Sequence, residues 1–303
     1  MTTICDVHCH FFSSRFLEIL VSSNRQHLPA AEHATVISGL LGWETPTTPE
    51  QLADRWAREL DLHKVSRAAL IASIPGDEDS VAVAVAKHPS RFVGFFMFDP
   101  TAPDAATRLK RAFRDLKLRG VALFPAMHKY RLDDERVDAV FKAAEEDGAA
   151  VFAHCGVLTV GVRKKLGLAS PFDLRLGDPL SLSTIASRYP HVPVIIPHFG
   201  AGFLREALIA VDQCPNIHLD TSSSNSWMKY HPGLTLDAVF RQALQVGGPE
   251  RLLFGTDSSF FPRGWQRHLY DAQLEAMDLA GVGPEARAQI LSGNFERLFP
   301  LGA

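Results

Sequence analysis

The sequence lacks the features that mark several large classes of protein. Its 303 residues carry 31 basic and 34 acidic side chains, a net charge of −3, so no basic excess favours nucleic acid or an anionic membrane. No apolar run approaches the roughly 20 residues of a membrane span. The four cysteines show no CxxC spacing, and the first residues lack the basic and long apolar segments of a secretory signal. We therefore expect a cytoplasmic protein with reduced thiols and with neither a nucleic-acid nor a membrane partner.

The chain does contain a regular alternation of short apolar runs with longer amphipathic stretches. Because the runs are apolar throughout, they predict strands that are buried on both faces, as in a parallel sheet. The predicted strands are Thr3–His8, Arg67–Ile74, Phe92–Phe98, Gly120–Phe124, Ala149–His154, Val192–His198, Asn216–Asp220 and Arg251–Gly255. The stretches between them predict helices, such as Pro49–Lys64 after Thr48 and Asp133–Asp147 before Gly148.

Eight strand–helix pairs in one order, with no break in composition, predict one domain over residues 1–303, a (β/α)8 TIM barrel. A doubly wound sheet is the alternative, although no phosphate-type glycine loop follows any strand. Two insertions interrupt the spacing, at about Val21–Thr48 after strand 1 and at Gly156–Asp178 after strand 5. Both follow the C-terminal ends of strands, the face on which barrel enzymes carry their active sites.

Four of the predicted strands end in residues that commonly bind metals. Strand 1 ends in Asp6-Val7-His8-Cys9-His10, and strict alternation would place Asp6, His8 and His10 on one side. The ends of strands 5, 6 and 8 carry His154, His198 and Asp257. Each histidine alone is as well explained as a hydrogen-bonded structural residue. Because strand ends meet at one mouth in a barrel, the set predicts a shared metal site, for which zinc or another divalent ion is suitable.

The motifs resemble those of the amidohydrolase superfamily, and within it the amidohydrolase-2 branch. That branch contains aminocarboxymuconate-semialdehyde decarboxylase, γ-resorcylate decarboxylase and several lactone or amide hydrolases. The resemblance covers nearly the whole chain and specifies the branch, not a substrate. The segments that carry it are Asp6–His10, Val151–Gly156, Ile196–Gly202, Leu253–Asp257 and Ser292–Leu298.

The resemblance implies a role for each matching residue. His8, His10 and His154 would be metal ligands, and Asp257 would be a further ligand or the base beside a metal-activated water. His198 would be a catalytic acid or base, or a polarising group. Asp6 would lie behind the ligands or join them. The implied cofactor is one divalent ion, with Zn²⁺ favoured and Mn²⁺ as an alternative.

The number of metal ions depends on strand 4. Members with two metals usually bridge them with a carboxylated lysine on this strand. Ala122 stands where many members of the branch have lysine, and the nearest lysine, Lys129, lies beyond the strand. The resemblance therefore implies a single metal, and a second one would need His198 as a ligand.

The same groups serve two kinds of reaction. We expect a hydrolase of a small lactone, amide or ester that uses a metal-activated water. The alternative is non-oxidative decarboxylation of a small aromatic or unsaturated carboxylic acid. Arg263 is a candidate for binding a substrate carboxylate, although a loop salt bridge explains it equally well. A catalytically silent metal-binding barrel is disfavoured because every ligand-type position is filled.

Other features of the sequence remain open. Ser222–Asn225 can line the pocket or form a polar turn, and Trp43 can belong to a lid or to a packed segment of the barrel rim. The expected partners are a small-molecule substrate and a second copy of the chain, since barrels of this branch often form homodimers.

Overall fold

The computed structural model describes residues 3–22, 30–223 and 225–302. Its eight strands lie in one sheet in chain order, and each is parallel to the next. The strands are β1 (Cys5–Phe11), β2 (Arg67–Ala72), β3 (Phe92–Phe98), β4 (Gly120–Leu123), β5 (Ala150–Ala153), β6 (Val194–Ile196), β7 (Ile217–Asp220) and β8 (Leu252–Leu253).

Backbone hydrogen bonds between β1 and the chain around and after β8 join the first and last strands. The Val7 amide donates to the Phe254 carbonyl at 2.9 Å, and the Asp257 amide donates to the His8 carbonyl at 2.9 Å. The predicted (β/α)8 TIM barrel is confirmed. The doubly wound alternative is wrong, because such a sheet leaves its two outer strands unpaired.

The predicted strands all occur, but most of them are shorter in the structure than predicted. β3 coincides with its prediction, Phe92–Phe98. β6 ends before its predicted limit because Pro197 has no amide hydrogen and His198 has a left-handed backbone, with φ at 57°. β1 continues past its predicted end at His8 to Phe11.

Helices follow the strands around the barrel, and among the described residues none is long and apolar enough to cross a membrane. They are α1 (Ser14–Ser22), α2 (Ala30–Leu41), α3 (Pro49–His63), α4 (Glu78–Lys87), α5 (Ala105–Arg114), α6 (Pro125–His128), α7 (Glu135–Asp147), α8 (Gly161–Lys165), α9 (Pro179–Ala186), α10 (Leu204–Gln213), α11 (Leu236–Gly247), α12 (Arg267–Leu279), α13 (Pro284–Ala288) and α14 (Asn294–Leu298).

The sequence signals for helix ends correspond to real caps. The Thr48 hydroxyl accepts a hydrogen bond from the Gln51 amide at 3.4 Å, and Pro49 is the first residue of α3. Gly148 ends α7 in a left-handed conformation, with φ at 62°. Local side-chain chemistry therefore sets these two ends.

The two insertions pack against each other on the C-terminal side of the barrel. The first contains α2, and its residues 23–29 lie outside the described part of the chain. Buried Phe16 and Ile37 form a small core with Val162 of the second insertion. Trp43 packs at the edge of this core, where its ring stacks on Phe260 with ring centroids 4.4 Å apart.

Apolar side chains, most of them large, fill the barrel interior below the mouth. They include Val7, Ile71, Phe95, Met97, Ala122, Phe152, Ile195 and Leu253. Phe295 and Phe299 cover the opposite end, where Arg67 donates to the Phe299 carbonyl at 2.7 Å. Burial of each large apolar side chain contributes about 1.5–3 kcal/mol, so the interior gives the mouth a rigid floor.

One buried carboxyl group gives the fold a predictable dependence on pH. Asp77, before α4, accepts hydrogen bonds from the Ser13 hydroxyl at 2.7 Å and from the Ser80 hydroxyl at 2.5 Å. Burial outweighs these bonds and raises the pKa of Asp77 from 3.8 to about 7. The unfolded chain releases this proton near pH 4, whereas the folded chain keeps it to about pH 7. The unfolded state therefore binds fewer protons in this window, and Asp77 makes stability fall as pH rises through it.

We expect Asp77→Asn to stabilise the protein at pH 8 relative to pH 5, because the amide carries no charge to bury. The relative gain should be on the order of 1–4 kcal/mol, set by the size of the pKa shift. Urea unfolding at the two pH values measures it. Asp79→Asn, an exposed change on the same helix, is the control. An Asp77→Asn variant with the wild-type dependence on pH would contradict the prediction.

Candidate metal centre

The two histidines at the end of β1 face each other at the mouth. The Nε2 atoms of His8 and His10 lie 3.2 Å apart. His8 is fully buried, while His10 is partly exposed. The structure therefore brings these two side chains together, while their role as metal ligands stays a prediction.

An aspartate at the end of β7 determines which nitrogen of His8 is free. Asp220 Oδ2 lies 2.7 Å from His8 Nδ1, so Nδ1 carries the proton that this carboxylate accepts. Burial works to lower the pKa of His8, but the Asp220 carboxylate outweighs it and raises that pKa. With Nδ1 as the donor, His8 Nε2 presents an electron pair to the mouth, as in carboxylate–histidine–metal arrangements.

A serine fixes His10 in the same way. The Ser73 hydroxyl donates its one hydrogen to the Ile71 carbonyl at 2.9 Å. Its oxygen therefore accepts from His10 Nδ1, which lies 2.7 Å away. His10 Nε2 is then also unprotonated, and burial lowers the pKa of this imidazole.

Asp257 brings a carboxylate to the same point. Its Oδ1 lies 3.0 Å from His10 Nε2 and 3.6 Å from His8 Nε2. Burial works to raise the pKa of Asp257, but the neighbouring histidines, His10 first, outweigh burial when they are protonated and hold that pKa well below the ordinary value. Its backbone is left-handed, with φ at 59°, a conformation that aspartate and asparagine tolerate better than most residues.

The three converging atoms fit a divalent cation. Two imidazole electron pairs and one carboxylate oxygen repel each other unless a positive charge lies between them. Ligand bonds of about 2.0–2.2 Å place neighbouring ligand atoms of a tetrahedral site roughly 3.3–3.6 Å apart. The observed separations of 3.0–3.6 Å need only small adjustments. His8, His10 and Asp257 therefore form a possible metal-binding site.

The structure does not bring His154 into this three-residue group. The His154 ring lies 5.4 Å from the His198 ring, between centroids, and stacks on Phe124. Its Nδ1 is buried and has no hydrogen-bond partner among the described residues. Burial lowers the pKa of His154 well below the ordinary value, so the ring is neutral and able to bind a metal. Its role as a fourth ligand stays a prediction.

His198 lies beside His8, with ring centroids 5.0 Å apart. Its Nδ1 is 2.9 Å from the Ser222 hydroxyl and 3.3 Å from the Ser222 carbonyl oxygen. Burial lowers the pKa of His198, which is therefore neutral near pH 7. The left-handed backbone of His198 and Phe199 turns the chain sharply after β6.

Glycine is required where the strand ends approach closely. A Cβ on Gly255 would lie 2.6 Å from Asp220 Oδ1 and 3.2 Å from the His8 Cβ. A Cβ on Gly156 would lie 2.1 Å from the Gly200 carbonyl oxygen. The spacing of the site therefore depends on the absence of side chains at these two positions.

Asp6 does not share the side of His8 and His10, which corrects the prediction from alternation. Asp6 pairs with Ala68 and Cys9 pairs with Leu70, so β1 contains one extra residue between them. Alternation therefore fails at this bulge, and it cannot place Asp6 on the side of the two histidines.

The Asp6 carboxylate instead joins β1 to the segment that follows β8. Its Oδ2 accepts from the Thr256 hydroxyl at 2.6 Å and from Trp265 Nε1 at 2.7 Å, while Oδ1 accepts from the His8 amide at 2.9 Å. Both oxygens of the Asp6 carboxylate are therefore engaged in hydrogen bonds, apart from the three atoms that converge at the mouth.

A cavity of about 120 Å³ opens beside the three ligand-type residues. His154, His198 and Asp257 line it, together with Trp227 and Lys229 from the loop after β7. Ser223 of the predicted Ser222–Asn225 segment also lines the cavity, Ser222 lies behind it, and Ser224 lies outside the described residues.

Arg263 lies on the loop after β8. Its guanidinium donates to the Ser259 hydroxyl at 2.6 Å and to the Asp257 carbonyl at 3.3 Å, and it stacks over Phe260. No ion pair with a carboxylate holds it among the described residues. Its predicted role in binding a substrate carboxylate stays a prediction.

Sequence reasoning missed Asp220, Ser73 and the part played by Ser222. Asp220 had a usable signal, since it is a carboxylate at a strand end like Asp257. Ser73 had none, because a lone serine after a strand is common.

Comparison with known proteins gives one family and one curated relative. The model of the family described as Amidohydrolase matches residues 5–301. Protein fluG of Emericella nidulans is 28% identical over 143 residues, which is 43% of this chain and 16% of that protein. The chain thus spans about a sixth of the length of this relative.

Solved structures agree over nearly the whole chain. A variant of 5-carboxyvanillate decarboxylase from Novosphingobium aromaticivorans, with bound manganese, is 16% identical with a TM-score of 0.65, covering 98% of this chain and 97% of that one. An amidohydrolase from Burkholderia multivorans, with bound zinc, is 15% identical with a TM-score of 0.64, covering 99% of each. At these identities the likeness shows the fold alone.

Proposed function

Because the chain belongs to the amidohydrolase family, we propose that it is a metal-dependent hydrolase of a small lactone, amide or ester. The observation that carries the proposal is the convergence of His8, His10 and Asp257 at a cavity. Two unprotonated imidazole nitrogens and a carboxylate oxygen meet there with no protein cation between them in the described residues. This arrangement suits a divalent ion far better than it suits a packed core.

The proposed ligands are His8, His10, His154 and Asp257, which would hold one ion. Zinc suits this donor set, and manganese is the alternative, since the two similar structures hold one ion or the other. When bound, the ion would polarise a substrate carbonyl and lower the pKa of a water molecule. Ala122 of β4, in the barrel interior, supports the proposal of a single ion, because this position has no lysine that could bridge two metal ions.

The protein's own groups would handle the protons. Asp257 has a carboxylate that stays ionised at neutral pH, so it can accept a proton from water and return it to the leaving group. His198 is neutral and lines the same cavity, where it can exchange hydrogen bonds with the water or the substrate. The barrel floor excludes bulk water from below.

Non-oxidative decarboxylation is the second candidate, and Lys229 is the observation that favours it. This lysine lines the cavity that contains His154 and Asp257, so its ammonium group can hold a carboxylate. Arg263 on the neighbouring loop is the other proposed anchor. In this reaction the bond between the carboxylate and its carbon breaks, CO₂ leaves, and that carbon gains a proton.

Isotope labelling distinguishes the two reactions. A panel of lactones, amides, esters and aromatic acids is incubated with the zinc- or manganese-loaded protein in water enriched in ¹⁸O, and separately in D₂O. Hydrolysis should place one labelled oxygen in the released acid and retain every substrate carbon. CO₂ release with one deuterium on the product carbon would overturn the hydrolase proposal in favour of the decarboxylase.

Arg263→Ala and Lys229→Ala refine the result. If the reaction is decarboxylation, removing the residue that anchors the substrate carboxylate should raise KM for the acid. Under hydrolysis of a neutral substrate, neither change should affect KM strongly.

A further inference from the structure

A fully buried serine hydroxyl lies between the groups that control the site. Ser222 Oγ is 2.9 Å from Asp220 Oδ2, 2.9 Å from His198 Nδ1 and 2.9 Å from His8 Nδ1. The hydroxyl has one hydrogen to donate and two electron pairs with which to accept. Only some distributions of protons satisfy all three contacts.

The carboxylate and a carbonyl decide between these distributions. Asp220 Oδ2 can only accept, so the favoured arrangement has the Ser222 hydroxyl donating to it. The Ser222 backbone carbonyl also can only accept, and His198 Nδ1 lies 3.3 Å from it. A hydrogen on His198 Nδ1 satisfies the hydroxyl oxygen and the carbonyl together. Without that hydrogen, the ring nitrogen and the carbonyl oxygen would face each other with electron pairs.

We propose that Ser222 is a positioning residue that holds His198 in the Nδ1-protonated tautomer. The other ring nitrogen, Nε2, then carries an electron pair on the side of the ring that is not bonded to Ser222. Asp220 accepts from both His8 and Ser222, so one carboxylate orients a proposed metal ligand directly and His198 through a hydroxyl.

This tautomer selects among the roles open to His198. A neutral ring with a bare Nε2 accepts a hydrogen bond from water, and it cannot donate from that nitrogen to a developing oxyanion. His198 therefore orients the attacking water and leaves oxyanion stabilisation to other groups. This consequence rests on the proposed function, whereas the tautomer itself does not.

Long-range ¹H–¹⁵N correlation spectra of histidine-labelled protein test the tautomer directly. The spectra are recorded on the metal-free and the zinc-loaded full chain at a pH where His198 is neutral, and His198→Gln identifies its signals. We expect a protonated Nδ1 and a bare Nε2. A protonated Nε2 in the metal-free protein would overturn the proposal, even if the enzyme proves to be a hydrolase.

Variants at position 222 test the consequence for catalysis. Ser222→Ala should lower kcat by about ten- to a hundredfold, as loss of a supporting hydrogen bond commonly does. Zinc content should be retained, because His8 keeps its own bond to Asp220. Ser222→Thr restores a hydroxyl and should recover most of the lost kcat. Ser187→Ala, which alters an exposed serine after α9, should leave kcat unchanged.

The spectra and the thermal stability of Ser222→Ala together distinguish a positioning role of Ser222 from a purely structural one. A merely structural role would lower thermal stability without shifting the His198 signals, and that result would overturn the proposal. Failure of every substrate panel, with the Nδ1 tautomer observed, would instead count against the proposed function alone.

Discussion

A variant with both His8→Ala and His10→Ala should contain no metal, whereas the wild-type chain should contain one divalent ion. The two substitutions remove two of the three atoms that converge at the mouth and leave only Asp257 Oδ1. Asp257 cannot hold the ion against water, even with the proposed ligand His154, because a stable site needs at least three protein ligands. Elemental analysis of protein purified without added metal, and again after loading with zinc or manganese, measures the change.

The matched control changes two exposed histidines, His191→Ala and His268→Ala, which lie outside the site. This variant should keep the wild-type metal content. Metal retained by the first double variant would contradict the assigned site. Two ions in the wild type would mean that His198 binds a second metal despite Ala122.

Asp257→Asn should abolish most of the activity, with a loss of about 10²–10⁴-fold in kcat/KM, the range for removal of a general acid–base group. Asparagine suits the left-handed backbone at this position, so the variant should fold. It removes the negative charge that both binds a cation and accepts a proton. Steady-state kinetics measures the loss, with metal content determined in the same samples.

Asp271→Asn is the control for this change, since Asp271 is exposed and pairs with Arg267 at 2.8 Å. The metal content of Asp257→Asn distinguishes the two possible roles of Asp257, metal ligand and base. Lost metal would show that Asp257 acts mainly as a ligand, while retained metal with lost activity would show that it acts as a base. Activity within tenfold of the wild type would contradict both roles.

The sequence predicts the barrel because each buried strand is an apolar run of its own. The β3 bounds coincide with prediction since Phe92–Phe98 is apolar throughout and polar residues flank it. The convergence of His8 and His10 follows from spacing on one strand, and the approach of Asp257 follows from barrel closure. These features depend on short-range pattern and on topology, both of which a sequence contains.

The supporting hydrogen bonds were not predicted, because barrel closure brings strand ends together without specifying which side chains pair. Asp220 contacts His8 across 212 positions, and Ser73 contacts His10 across 63. Asp6 was predicted on the side of His8 and His10, which is wrong because one extra residue in β1 breaks strict alternation. No residue type in this segment indicates such a bulge. The position of Arg263 depends on loop geometry, which follows no periodic rule.

The closure between β1 and the segment after β8 has a consequence for biosynthesis. Asp6 and Thr256 are 250 positions apart, so a ribosome makes most of the chain before the first strand can find its second neighbour. Until then β1 has an exposed edge and β2 alone beside it, which favours association with other chains. The proposed ligands on β1 likewise lack Asp257 until that residue emerges. Nascent chains should therefore depend on chaperones until β8 is made, and the proposed site can hold a metal only near the end of synthesis.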